Sequence, residues 1–292
     1  MKSLSKRGLT WRLWLAAVAV FGAGCGVKTT HVVPAAQIRP SLDATKEQLL
    51  ARYDGLARSV STLNATITLV PRTGSEYSGV IEEYHEVNGF ILAKRPGWIR
   101  VIGQAPVVGK DVFDMVSDGE EFRIFIPSKH KFIVGPTKTT REAKKPIENL
   151  RPQHLLEAIF WTPIPPEARV VMEEEDARHF YVLEELRGRG KRLEVVKKIW
   201  FDRADLSVSR IDIYGDAGRL ESEIIVADWQ AAGEISFPRT ITLSRPHDDY
   251  SLGIRITKLT LNEPILEDKF KLEQPPGTEL VRVGEEAADK TP

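Results

Sequence analysis

From Leu63 onward the chain is a succession of short runs in which apolar and polar residues alternate, separated by tight-turn residues. Alternation has a period of two, so each run reads as a strand with one buried and one wet face. The first runs are Leu63–Val70, Tyr77–Val87, Phe90–Lys94, Trp98–Gln104, Val112–Ser117 and Phe122–Ile126. Asn88-Gly89 and Asp118-Gly119 are read as hairpin turns between them, since both residue types tolerate positive φ. The pattern resumes with Arg169–Glu173, His179–Leu186, Leu193–Phe201, Ser207–Tyr214, Leu220–Trp229, Ile235–Ser244 and Leu252–Leu261. In Thr240–Ser244, Ile241 and Leu243 alternate with Thr240, Thr242 and Ser244. So many consecutive strands with short turns predict a mainly β (α+β) chain built on one large, strongly curved antiparallel sheet.

Two helices interrupt the strands. Leu49, Leu50, Tyr53, Leu56, Ala57 and Val60 recur at helical spacing and predict a helix over Thr45–Val60. The second is expected over Arg151–Trp161: Pro152 suits a first helical position, Leu155, Leu156, Ile159 and Phe160 form a stripe, and Pro163 stops it. Two helices are too few to cover such a sheet from outside. The economical arrangement lays them against its concave face, and an incompletely filled concavity would be an apolar pocket.

The N-terminus points to export. Lys2, Lys6, Arg7 and a short apolar run from Trp11 to Phe21, broken by Arg12, precede Gly22-Ala23-Gly24-Cys25. The apolar run is too short to span a bilayer, which takes about 20 apolar residues. A basic start, apolar middle and small residues before a cleavage point make a secretory signal. Ending on Ala-Gly-Cys, it resembles a bacterial lipoprotein signal, although Gly22 stands where that family usually has leucine. The resemblance implies removal of residues 1–24 and acylation of Cys25; an ordinary signal with a stray cysteine is the alternative. Residues 25–45, with Gly26, Pro34 and Pro40, then read as a lipid-anchored tether, and 46–283 as the domain. Gly26, in place of an aspartate, implies by analogy the outer membrane, facing the periplasm. The polar tail 284–292 is expected to be loose.

Composition narrows the chemistry. The chain carries 41 basic and 41 acidic residues, and losing the four basic residues of the signal leaves a net charge of −4. That balance argues against nucleic-acid binding, which needs a basic footprint. Cys25 is the only cysteine, so the domain has no internal disulfide and must rely on its core. The six histidines are scattered, with no metal-ligand spacing, no phosphate loop and no nucleophile elbow. No catalytic residue, metal or other cofactor is therefore expected. Glu173-Glu174-Glu175-Asp176 reads as an acidic turn rather than a calcium loop. Lys138, Arg141, Lys144 and Lys145 are denser in positive charge than the rest. They are either a solvated loop or a docking patch for an acidic partner or anionic headgroups.

Two stretches resemble a known family. Gly89-Phe-Ile-Leu-Ala-Lys-Arg-Pro-Gly-Trp98, with Ser117-Asp118-Gly119 and Phe122-Arg-Ile-Phe-Ile-Pro127, is similar to the LolA/LolB group of lipoprotein carriers and outer-membrane receptors. Asp268-Lys-Phe270-Lys-Leu272 and Pro275-Pro276-Gly277 look like that family's closing strand. The resemblance implies an unclosed barrel with about two capping helices and a cavity for acyl chains. It implies that Arg95 hydrogen-bonds a helical lid, and that the loop at Val107 and Val108 is a membrane-contact tip. One of those valines packing under its own turn is the other reading. Candidate cavity-lining residues are Phe90, Leu92, Trp98, Val101, Phe113, Phe122, Leu156, Ile159 and Phe160, each of which can equally be ordinary core.

These readings describe a non-enzymatic lipid-anchored protein that binds acyl chains of lipoproteins or lipids. A periplasmic carrier protein is a further possible partner. The rival is a scaffold or assembly lipoprotein with a filled barrel that works through protein contacts. The length of the chain and its extra strand-forming sequence at Lys191–Leu220 set it apart from familiar members.

Overall fold

Strand β1 (Thr62–Thr73) joins two strand meanders into one sheet. In this computed structural model the described residues are 41–74, 81–137, 151–175, 179–189 and 192–283, all within the compact unit Pro40–Pro292. On one side of β1 the chain runs through β3 (Val87–Lys94), β4 (Trp98–Gln104), β5 (Asp111–Ser117), β6 (Glu121–Ile126) and β7 (Lys131–Pro136). On the other side it returns in reverse order from β14 (Tyr250–Leu261) through β13 (Ile235–Arg245), β12 (Leu220–Ala232), β11 (Val208–Tyr214), β10 (Arg192–Asp202) and β9 (Phe180–Arg189) to β8 (Arg169–Glu175). The short β2 (Glu82–Glu83) pairs with β1, and β15 (Glu279–Arg282) lies parallel to β7. The result is a 15-stranded, almost wholly antiparallel sheet in which β8 and β15 stand at opposite ends of the strand order, so the barrel is not closed.

The two helices form as their end residues dictate. Helix α1 (Lys46–Ser59) is capped by Thr45, whose hydroxyl accepts from Gln48 N while the Gln48 side chain accepts from Thr45 N. Two of the helix's orphan donors are thereby satisfied. Helix α2 (Pro152–Ile159) begins on Pro152, as the missing N–H of proline allows. Leu49, Tyr53 and Ala57 of α1 and Leu155, Leu156, Ala158 and Ile159 of α2 share one continuous core with one face of the sheet. That face is built from the alternate residues Leu63/Ala65/Ile67/Leu69, Ile91/Ala93, Ile99/Val101, Leu183, Ile199, Ile224, Ile241/Leu243 and Ile254.

Several local expectations change. Asn88-Gly89 is not a turn but lies inside β3, opposite Gln104 and Gly103. A Cβ on Gly89 would sit 2.1 Å from the Ile102 carbonyl oxygen, so the glycine permits close strand approach, not a reversal. Strand β7 (Lys131–Pro136) is one that the run of expected strands did not include. Glu267–Phe270 is a 3-10 turn, and the closing strand comes later, at Glu279–Arg282. The end of the expected tether is docked: Leu42 N donates to Arg203 O at 2.7 Å and Arg203 pairs with Asp43 at 2.8 Å.

Candidate functional site

Arg95 follows directly on β3, in the β3–β4 turn, and sits where both helices finish. Its Nε donates to Val60 O at 2.9 Å, and one terminal nitrogen donates to Ala57 O at 2.7 Å and to Trp161 O at 3.0 Å. The guanidinium lies 4.9 Å over the Phe160 ring. The last carbonyls of a helix lack intrahelical partners and carry partial negative charge, so a cation there is doubly favourable. One sheet side chain thus fastens the end of α1 and the segment just after α2. Burial lowers the Arg95 pKa from its usual value, with Tyr53 nearby acting the other way. Asn262 makes a second tie, accepting from Ser61 N at 2.8 Å and donating to Ser59 O at 2.7 Å.

Beside this latch lies a small apolar cavity of about 20 Å³, lined by Leu56, Val60, Ile159, Trp161, Trp229 and Phe237 among others. That is room for a water molecule and no more. The Trp161 ring fills the space by stacking on Tyr53 (5.9 Å, 2°) and meeting Trp229 edge-on (6.0 Å, 71°). The interior next to the latch is therefore packed with the protein's own aromatics.

The expected lining residues separate into two groups. Val101, Phe122, Leu156, Ile159 and Phe160 are buried, and Phe113 packs against the core from its edge, its ring filling the space over Gly103. Phe90, Leu92 and Trp98 do not face the interior. Ile91, Ala93, Ile99 and Val101 take the inward positions, so strand alternation turns the neighbouring residues outward. Phe90 is 42% exposed, Leu92 pairs with outward Arg100, and Trp98 packs edge-on against Phe270 at 5.6 Å. Trp98, Val116, Asp118, Glu121, Arg123 and Phe270 are among the walls of a separate outer groove of about 160 Å³.

A buried polar layer, which the sequence did not reveal, holds the other side of α2. His154 Nδ1 bonds the Tyr250 hydroxyl. Glu157 accepts from Ser222 at 2.7 Å, and Ser222 accepts from Arg245 at 2.9 Å. Lys197 pairs with Glu185 at 3.4 Å and donates to Thr162 O at 3.0 Å, as Tyr53 also does. Burial, helped by Arg245 and Arg151, pushes His154 down to about 3, and burial raises Glu157 and lowers Lys197. The only hint in sequence was His154 and Glu157 three apart, flanking Leu155 and Leu156 on a largely apolar helix.

Val107 and Val108 sit at the tip of the β4–β5 hairpin, 96% and 66% exposed. The tip is closed by Ala105 N to Lys110 O at 2.9 Å and Gly109 N to Ala105 O at 3.0 Å, so neither valine packs beneath it. Cys25, the signal and most of the tether, the patch at Lys138, Arg141, Lys144 and Lys145, and the tail 284–292 lie outside the described residues. Among the described residues no three His, Cys, Asp or Glu side chains gather to hold a metal, and no helix is long and apolar enough to cross a membrane.

No known family profile and no curated protein matches this sequence. Solved structures match it in fold. A DUF1329 family protein from Desulfovibrio piger superposes with a TM-score of 0.52 at 13% identity, covering 76% of this chain and 94% of that one. A LolA superfamily protein from Nitrosomonas europaea superposes with a TM-score of 0.49 at 12% identity, covering 79% and 99%. At such identity the likeness is one of fold. Among the described residues, the unclosed antiparallel barrel with two helices packed on one face has the architecture that the resemblance around Gly89–Pro127 implied.

Proposed function

We propose that this protein is a lipid-anchored envelope lipoprotein that takes acyl chains of lipoproteins or lipids into the half-barrel, and that the described structure is its closed state. The observation that carries this reading is the Arg95 latch: one side chain of the sheet holds the ends of both helices over an apolar concave face. The cavity of about 20 Å³ beside Arg95 admits no acyl chain, so loading there requires the helices to shift and the Trp161 stack to open. Apolar area taken from water then stabilises the complex at about 25 cal/mol per Å². Transfer needs no energy source if each receiving site binds more tightly than the last. The role is one of binding, not catalysis. The anchor is Cys25, the site of action is the periplasmic face of the outer membrane, and the exposed Val107/Val108 tip is the membrane-contact element. Lys138, Arg141, Lys144 and Lys145 are the docking patch for an acidic partner such as a periplasmic carrier.

The second reading is a scaffold with a permanently filled barrel, and the small cavity is the observation that favours it. One titration separates the two. Residues 26–292 are loaded with an apolar-site fluorophore and challenged with a triacylated lipopeptide or its deacylated twin. Displacement by the acylated form alone supports the carrier-receptor reading. No displacement by either, with native circular dichroism retained, supports the scaffold.

A further inference from the structure

We propose that a second copy of this chain docks on edge strand β8, pairing the two β8 strands antiparallel across a twofold axis. Among the described residues β8 pairs only with β9, so its other side presents unpaired backbone groups. Such an edge is a ready template for another strand. The side chains of β8 divide by alternation. Arg169, Val171 and Glu173 are exposed on the outer face, Val171 at 37%. Val170 and Met172 lie on the inner face, only partly buried against the core.

Symmetry and parity fix the register. A twofold contact is isologous, so a residue i meeting j requires j to meet i. Antiparallel partners share a face, so the paired residue numbers must be both odd or both even. Centring on Val171 sets Arg169 of each copy opposite Glu173 of the other, Val170 opposite Met172, and Val171 opposite itself. Two opposite-charge pairs then flank an apolar centre on the outer face, and the half-covered Val170 and Met172 meet on the inner one. Centring on Met172 would put Val171 against Glu173, and centring on Val170 would put Arg169 against Val171. The Met172 register also sets Arg169 opposite Glu175, but it faces Val170 with Glu174 and Val171 with Glu173. Only the Val171 register joins the Arg169–Glu173 charge pairs to apolar-on-apolar contacts, and this match of charge and apolarity selects a second copy over an unrelated strand. The acidic run read in sequence as a mere turn thus supplies one half of a self-recognising edge.

The test uses the full chain in detergent with Cys25→Ser, so that an added cysteine is the sole thiol. Val171→Cys is compared with Ile225→Cys, an exposed residue on a strand paired on both sides. Opposed residues of an antiparallel pair have Cα atoms about 4.5–5.5 Å apart, within disulfide reach. The expected result is a disulfide dimer for Val171→Cys at least ten-fold above the Ile225→Cys control, and a dimer mass by sedimentation without oxidation. Glu173→Arg should reduce the dimer, and Arg169→Glu combined with Glu173→Arg should restore it. A monomer mass with equal, low crosslinking at both positions overturns the proposal. Dimers that persist in Glu173→Arg and crosslink no better through Val171→Cys overturn the β8 register.

Discussion

Arg95 holds three carbonyls with one guanidinium, and each is the terminal acceptor of a helix or the segment after it. Removing it leaves those acceptors to water and frees the ends of the two helices. Arg95→Ala is expected to lower stability by about 3 kcal/mol, from the usual range for charged hydrogen bonds, read as a lower urea midpoint. It should also raise uptake of an apolar fluorophore, because the latch restrains the helices more than it builds the sheet. Gly89 and Gly55 make opposite predictions. Gly89→Ala drives a Cβ into the Ile102 carbonyl and should cost about 2–3 kcal/mol. Gly55, in the α1 interior, has open space around its Cα, so Gly55→Ala should add about 1 kcal/mol of stability. Denaturation of the two variants side by side checks both signs. The sequence pattern called Gly89 a turn because Asn-Gly commonly is one. The carbonyl it must accommodate lies on the next strand and leaves no local trace.

At the scale of elements, α1 was legible because its apolar residues repeat at helical spacing, while its Thr45–Gln48 cap emerged only in the fold. Strands β4, β5 and β6 were legible to within a residue because alternation and Asp118-Gly119 mark them. Which of two adjacent apolar residues faces inward was not legible from apolarity or size: Phe90, Leu92 and Trp98 lost that choice to Ile91, Ala93 and Ile99. The polar layer under α2 was not legible either, because Ser222, Arg245 and Tyr250 reach His154 and Glu157 only through sheet register. This layer gives α2 a pH dependence. His154 has a folded pKa of about 3 against about 6.5 unfolded, so the folded chain binds fewer protons between those values. Stability attributable to His154 is complete above about pH 6.5 and is lost as pH falls toward 3, by up to about 1.4 kcal/mol per pH unit. Arg245 and Arg151 deepen the effect, and Glu157, raised by burial, opposes it. His154→Gln should therefore flatten the acid side of the melting-temperature profile relative to the parent, with little change above pH 7. An unchanged acid slope would mean that His154 is not the group responsible.

At the scale of the whole molecule, two meanders joined at β1 and β14 make one open sheet with the helices packed on a single face. That architecture was readable because the number of strands forces a curved sheet and two helices suffice only on its inner side. The degree of filling was not readable, since Tyr53, Trp161 and Trp229 are far apart in sequence and meet only in the fold. The central claim is that this packed interior opens to admit acyl chains. Its most direct measurement is a pair of spin labels on exposed positions of α1 and β13, Arg58→Cys and Ser236→Cys, in the chain from residue 26, followed by pulsed dipolar spectroscopy. Adding a triacylated lipopeptide should lengthen the label separation, while the deacylated twin leaves it unchanged. A separation that stays fixed at saturating lipopeptide would contradict the claim and leave the filled scaffold as the better account.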